Sequence, residues 1–244
     1  MPQFTTFDGI GLAYVTRGTG PVVVLLHGFL CSGDIDFGRR GLIDRFAGAG
    51  RRVVALDARG HGASDKPTEP EAYADRAMAR DVEALLDHLQ VREVDLIGYS
   101  LGAFTAIEVA LRDPRVRGLC LGGIGGAELD VERLRAEATG LESAQAPSGS
   151  WFREAAEQLG ADRRACAAWL RGARLPQVTA TAFPSIEGPV VIINGAEDQL
   201  DAHGFARRFV RGRGYTVPGA HDAAMDSEEY AQLVCAWLKE TADA

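Results

Sequence analysis

The stretch Val94-Asp95-Leu96-Ile97-Gly98-Tyr99-Ser100-Leu101-Gly102 decides the fold of this chain. It begins with a short run typical of a buried strand and continues into a helix-forming segment, 101–111. A strand and a helix that meet this tightly leave no room for side chains at the flanking positions, which accounts for Gly98 and Gly102. The serine between them is held in a strained turn with its hydroxyl exposed, and the helix N-terminus favours negative charge beside it. Ser100 is therefore a candidate nucleophile.

The sequence on both sides of this turn repeats the alternation of strand and helix. Short apolar runs, separated by segments of helical periodicity, occur at 22–26, 53–56, 94–97, 116–121, 190–193 and 215–217. Runs that are apolar at most positions predict strands of a parallel sheet covered on both faces. Two earlier runs, 4–7 and 12–16, predict an antiparallel hairpin. The predicted fold class is therefore α/β, with a mostly parallel sheet and helices on both faces.

Residues 124–185 interrupt this alternation. They contain no strand-like run, and three amphipathic segments with helical periodicity lie at 129–142, 151–159 and 162–173. We therefore predict a core formed by residues 1–123 and 186–244, with a helical insertion at 124–185.

A serine hydroxyl is a weak nucleophile at neutral pH and needs a base. His221 lies in the loop between the last strand and the last helix, at the sheet edge where the serine is also expected. His27 and His61 lie in glycine-containing turns, where we expect structural roles. His221 is therefore the predicted base.

The base has to be held in one tautomer, and a buried carboxylate can hold it. Asp198 follows the strand at 190–193 and precedes His221, which gives the chain order Ser, Asp, His. Glu197 and Asp201 are alternatives for this carboxylate. Asp222 is adjacent to the base in sequence and cannot easily fold back to it.

A tetrahedral intermediate needs backbone N–H groups to bind its oxyanion. The N–H of Leu101, directly after the candidate nucleophile, is one predicted donor. The N–H of Phe29, in the loop His27-Gly28-Phe29 that follows the strand at 22–26, is the other.

These motifs resemble those of the α/β-hydrolase superfamily, in its serine-nucleophile branch with a small helical cap. The matching segments are the H-G-x loop at 27–29, the D-x-R-G-x-G-x-S turn at 57–64, the elbow at 98–102, Gly195 to Asp198, and Gly219-Ala220-His221. The resemblance implies an eight-stranded sheet with the cap inserted after the sixth strand. It also implies a serine hydrolase that cleaves a small-molecule ester, thioester or lactone through an acyl-enzyme. We expect no cofactor and no metal ion.

The resemblance leaves the reaction open in several directions. Haloalkane dehalogenases and epoxide hydrolases of this scaffold carry Asp where this chain has Ser100, which weakens both assignments. Carboxylesterase, thioesterase, lactonase and carbon–carbon bond hydrolase branches keep the serine. Two alternatives from other classes are a biosynthetic lyase or eliminase and a ligand-binding receptor that retains the triad.

The substrate is expected to bind between the elbow and the cap, since binding sites favour such junctions. Phe29 and Tyr99 are adjacent to the predicted catalytic positions, and we expect both to contact the substrate. Trp151 and Trp169 are predicted to line the same pocket from the cap. The alternative for the cap aromatics, including Phe152 and Phe183, is that they pack the cap onto the core.

Composition excludes several partners. The net charge of −8 and a chain without a basic block argue against a nucleic-acid partner. No apolar run is long enough to cross a membrane, and residues 1–6 lack the pattern of a signal peptide. The four cysteines are far apart in sequence, so we expect reduced thiols and a cytoplasmic protein. The oligomeric state is left open.

Overall fold

The computed structural model describes residues 1–125, 131–142, 151–173 and 182–242. Its eight strands are β1 (Gln3–Thr5), β2 (Gly11–Arg17), β3 (Val22–Leu26), β4 (Arg52–Leu56), β5 (Val94–Tyr99), β6 (Val116–Gly122), β7 (Val190–Gly195) and β8 (Gly212–Val217). They form one sheet in the order β1-β2-β4-β3-β5-β6-β7-β8. The strands from β4 to β8 in this order are parallel, and β1 and β2 are antiparallel. The predicted mostly parallel, eight-stranded sheet is confirmed.

The helices are α1 (Leu42–Gly48), α2 (Ala77–His88), α3 (Leu101–Ala110), α4 (Val131–Glu142), α5 (Trp151–Leu159), α6 (Arg163–Gly172), α7 (Ala202–Ala206) and α8 (Glu228–Ala242). Helices α2, α3 and α7 contribute to a core on one face of the sheet, and α1 and α8 contribute to the core on the other. Alternate residues of β3 divide between these cores: Val24 and Leu26 face the first, and Val23 and Leu25 face the second. This two-sided burial explains why the strand is apolar at every position.

Three helices, α4, α5 and α6, follow β6 in the chain. Helices α4, α5 and α6 pack together and form a third apolar cluster that includes Leu30 and Tyr73 of the core. The cluster lies over the edge where the parallel strands have their carboxyl ends, because Leu30 follows β3 directly. The division into core and cap remains a prediction. Within the described ranges, no helix is both long and apolar enough to cross a membrane.

Short elements account for most differences from the sequence prediction. Helix α1 was not singled out, because it has seven residues and lies between Gly41 and Gly50. The opening hairpin pairs Gln3–Thr5 with Gly11–Arg17, so its first strand ends earlier than predicted. A π-helical turn at Asp34–Gly38 and three 3₁₀ turns have no signal in the hydrophobic pattern.

Candidate active site

The turn between β5 and α3 holds Ser100 in an unusual backbone conformation. Its φ is 50° and its ψ is −112°, a combination that L-residues rarely adopt. A Cβ atom at Gly98 would lie 2.7 Å from the nitrogen of Ala103, so only glycine fits there. The strain at Ser100 is supported by this close packing of strand against helix, and such strained residues cluster at functional sites.

His221 and Asp198 are brought together from two neighbouring loops. The Nδ1 atom of His221 lies 2.6 Å from Oδ2 of Asp198, and the Asp198 side chain is 13% exposed. Because a carboxylate oxygen accepts, the hydrogen bond places the proton of a neutral imidazole on Nδ1 and leaves Nε2 free to act as a base. The alternatives Glu197 and Asp201 make no contact of this kind; Asp201 instead caps α7 through the N–H of Gly204.

Backbone hydrogen bonds fix these two loops to one another. The N–H of Ala196 donates to the carbonyl of Val217 at 2.7 Å, and the N–H of Glu197 donates to Gly219 at 3.1 Å. The parallel pairing of β7 with β8 thus continues past the strand ends as far as the carboxylate. This continuation explains how residues 23 positions apart meet.

Ser100 and His221 lie against the same dipeptide, Gly122-Gly123, at the end of β6. The N–H of Ser100 donates to the carbonyl of Gly122 at 2.8 Å. A Cβ atom at Gly123 would lie 2.9 Å from Cε1 of His221 and 3.3 Å from its Nε2. The serine hydroxyl makes no hydrogen bond to the imidazole; contacts of this type are often looser without substrate. The sequence prediction did not single out this glycine pair.

The two predicted oxyanion donors lie on either side of the elbow. Leu101 is the first residue of α3. The orientation of the Phe29 N–H is set by the carbonyl of Gly28, since both belong to one planar peptide and point in opposite directions. That carbonyl accepts from Nδ1 of His27 at 2.7 Å and from the N–H of Cys31 at 3.3 Å. Within the described part of the chain, neither the Phe29 nor the Leu101 N–H has a hydrogen-bond acceptor, and their role as oxyanion donors stays a prediction.

Two buried side chains hold this loop in place. His27 accepts from the N–H of Ala58 at 3.0 Å through Nε2, so its Nδ1 must carry the proton that Gly28 accepts. Asp36 is 4% exposed, and its Oδ2 accepts from the N–H of Gly28 at 2.7 Å. The structural role expected of His27 is consistent with these contacts. Asp36 was missed, because it lies in the irregular turn Asp34–Gly38.

Cys31 is the other nucleophile near this loop. Burial raises the pKa of its thiol, and the negative charge of Asp36 raises the pKa further. The thiol is therefore protonated at neutral pH. Because the thiolate is the nucleophilic form of cysteine, Cys31 does not compete with Ser100. All four cysteines of the chain are free thiols.

The residues predicted to contact substrate differ in their burial and in the side chains they pack against. Phe29 packs against Trp169, with ring centroids 5.0 Å apart, and against Phe152 at 5.4 Å. Trp169 is 4% exposed, and its indole N–H donates to the sulfur of Met78. Trp151 is 65% exposed and contacts Phe152. Substrate contact by Phe29, Trp151 and Trp169 therefore stays a prediction, and the aromatic contacts also join cap to core.

Tyr99 is buried beside His221, and its contact with a substrate stays a prediction. It is 2% exposed, and its hydroxyl donates to the main-chain carbonyl of His221. The ring packs edge to face against the imidazole, with centroids 5.7 Å apart, so little of the side chain is left for a substrate to touch. Phe183 also lies away from the site, since it packs against Phe205 and Phe209 in the core.

The site consists of a hydroxyl, an imidazole and a carboxylate with two N–H groups, and it offers no metal-binding set. Among the described residues, no group of three His, Cys, Asp or Glu side chains could hold a metal ion. The arrangement suits nucleophilic attack on a carbonyl, in which negative charge develops beside the N–H groups.

Comparisons with known proteins agree with the fold. The profile described as alpha/beta hydrolase fold matches residues 21–139. An epoxide hydrolase from Caballeronia sordidicola is 34% identical over 133 residues, which cover 52% of this chain and 40% of that protein. A thermophilic esterase from Thermogutta terrifontis, solved with malate bound, is 26% identical with a TM-score of 0.81, and the match covers 98% of both chains. The bottromycin epimerase BotH, solved with bottromycin A2, is 24% identical with a TM-score of 0.77, over 97% of this chain and 98% of its own.

These relatives differ in how much each match shows about this chain. The chain spans well under half the length of the first curated relatives it matches, 35% and 40% of two epoxide hydrolases. The match to the epimerase shows the fold alone. The esterase match, over 98% of both chains, agrees with the fold described above. This chain therefore has the alpha/beta hydrolase fold.

Proposed function

We propose that this protein is a serine hydrolase that cleaves an ester, thioester or lactone of a small molecule through an acyl-enzyme on Ser100. The observation that carries the proposal is the 2.6 Å hydrogen bond between His221 Nδ1 and Asp198 Oδ2. Two further contacts support it: the imidazole packs against Gly123, and the N–H of Ser100 donates to the adjoining Gly122.

The geometry supports a two-step acyl transfer. In the first step, Ser100 attacks the carbonyl carbon while Nε2 of His221 takes the hydroxyl proton. The oxyanion is bound by the N–H groups of Phe29 and Leu101, and the Asp198 carboxylate stabilises the imidazolium. His221 then protonates the leaving group, and in the second step it activates the water that releases the acid.

Two of the sequence relatives are named as epoxide hydrolases, so the opening of an epoxide is a competing reaction. A carboxylate nucleophile opens an epoxide to give an ester, which water can then hydrolyse. Ser100 would give an ether instead, which is stable to hydrolysis. The serine therefore favours carbonyl substrates over epoxides.

Ser100→Ala provides the first test of the proposal. It should abolish labelling by a fluorophosphonate probe and lower hydrolysis of p-nitrophenyl esters by several orders of magnitude, on the order of 10⁴-fold or more. An aryl epoxide in the same assay should not be turned over. Turnover of a natural substrate by Ser100→Ala would contradict the proposal and favour proton abstraction by His221.

Asp198→Asn tests the orientation of the base. The amide should favour the wrong tautomer of His221 and lower kcat on the order of 10⁴-fold, with a smaller change in KM. Asp201→Asn is the matched control, because Asp201 caps α7 and does not contact the imidazole. Near-full activity of Asp198→Asn would show that another carboxylate orients the base.

A further inference from the structure

The residue before the candidate nucleophile is joined directly to the candidate base. The hydroxyl of Tyr99 donates to the main-chain carbonyl of His221, across 122 positions of sequence. No other described residue donates to this carbonyl. The end of β5 therefore holds the backbone of the loop that carries the imidazole.

The Tyr99 ring also contacts the imidazole itself. The two rings meet edge to face, with centroids 5.7 Å apart and planes at 61°. A Cβ atom at Gly123 would lie 2.9 Å from Cε1 of both rings. The imidazole thus fits into a slot formed by Tyr99 and a glycine whose φ is +60°.

The other contacts of His221 do not fix the direction of its ring, which therefore depends on this slot. Its side chain is 43% exposed, and its hydrogen bond to Asp198 fixes Nδ1 but still permits the ring to pivot about that contact. Burial raises the pKa of the Tyr99 phenol, and the negative charge of Asp198 adds to the increase. The hydroxyl therefore remains a donor throughout the neutral and mildly alkaline range.

We propose that Tyr99 is a positioning residue, which sets the direction of His221 Nε2 towards Ser100 by holding the base's own carbonyl and ring. This inference rests on the proposed function, because it assigns His221 the role of base. Tyr99 itself does not touch the reacting atoms.

The test compares Tyr99→Phe with Tyr230→Phe. Tyr99→Phe keeps the ring and removes the hydrogen bond; we expect kcat to fall about tenfold, with KM changed by less than about twofold, because positioning errors act on the chemical step. The rate of fluorophosphonate labelling should fall by the same factor. Tyr230 is buried beside Tyr99, with ring centroids 6.3 Å apart, and its hydroxyl has no hydrogen-bond partner among the residues that the structure describes. Tyr230→Phe should therefore leave kcat and labelling unchanged.

A second comparison separates positioning from a general structural effect. In a His221→Ala background, adding Tyr99→Phe should not lower the residual labelling rate further, since its effect acts through the imidazole. An equal tenfold loss in that background would overturn the inference. If the wild-type protein is labelled and Tyr99→Phe is labelled at the same rate, the inference fails while the proposed function stands. A wild-type protein that is not labelled at all would overturn both.

Discussion

The folded protein holds single residues in conformations and environments that they would not adopt in solvent. Ser100 has a positive φ because Gly98 and the α3 backbone pack too closely for any other path. His61 lies in the turn after β4, and its Nδ1 donates to the carbonyl of Arg59 at 3.0 Å. Its Nε2 faces the thiol of Cys166 at 3.9 Å, which links the turn to α6.

The pH dependence of stability should reveal the buried His61. Burial lowers the pKa of His61 to about 3 in the folded protein, and His27 adds to the decrease. In the unfolded chain the imidazole pKa is about 6.5. The unfolded state therefore binds a proton first as the pH falls. The contribution of neutral His61 to stability is complete above pH 6.5 and is lost as the pH falls from about 6.5 towards about 3.

His61→Asn checks this dependence, because an asparagine amide can still donate to the Arg59 carbonyl. Between pH 7 and pH 5, the free energy of unfolding of the wild-type protein should fall by about 2 kcal/mol more than that of the variant. Urea denaturation at both pH values gives the comparison. Parallel changes in the two proteins would contradict the assignment of a buried neutral imidazole.

At the level of elements, helix α6 packs against the loop that carries Phe29. Its Trp169 packs against Phe29, and its last residue, Gly172, lies against the 3₁₀ turn Pro70–Tyr73. A Cβ atom at Gly172 would lie 2.9 Å from the Cα of Pro70 and closer still to its carbonyl. Helix α6 can therefore pack this close to Pro70 only because glycine at position 172 has no side chain.

Gly172→Ala should move α6 away from the core. We expect a loss of about 1–3 kcal/mol in the free energy of unfolding, because the clash is with backbone. KM should rise several-fold while kcat changes less, since Trp169 of α6 contacts the Phe29 ring, which is predicted to contact the substrate, and not the Phe29 N–H. Gly48→Ala is the matched control: Gly48 ends α1 with nothing within 4 Å of a Cβ atom, so the change should stabilise by about 0.5–1 kcal/mol. An equal gain in both variants would show that α6 does not dock on Pro70.

Across the whole molecule, the carboxyl ends and the amino ends of the parallel strands have separate roles. The carboxyl ends of the strands carry the candidate site. At the opposite edge, the buried guanidinium of Arg51 pairs with Asp95 near the start of β5 and with carbonyls of Pro21 and Leu238. Thr241 donates to the same carboxylate, which fixes the end of α8 to the sheet.

Stability and catalysis should therefore separate at this pair. Asp95→Ala leaves a buried, unpaired guanidinium and should lower the free energy of unfolding by about 3–5 kcal/mol. The double variant Arg51→Met/Asp95→Leu should recover most of this loss, because no buried charge remains. Chemical denaturation measures the stability, and kcat per folded molecule should stay unchanged in both. A fall in kcat at full folding would show that the two edges are coupled.

The sequence by itself determined the features that depend on neighbouring residues and on periodicity. The apolar runs predicted a parallel sheet because strands buried on both faces must be apolar at most positions. The glycines around Ser100, and the loop positions of His221 and Asp198 after successive strands, predicted a shared sheet edge because parallel strands end on the same side. Only the tertiary structure decided the contacts between distant segments. The buried ring of Tyr99 packs against His221 and its hydroxyl donates to the His221 carbonyl, and Asp36 reaches Gly28 from an irregular turn that leaves no pattern. Such contacts depend on the packing of loops, which local sequence does not encode.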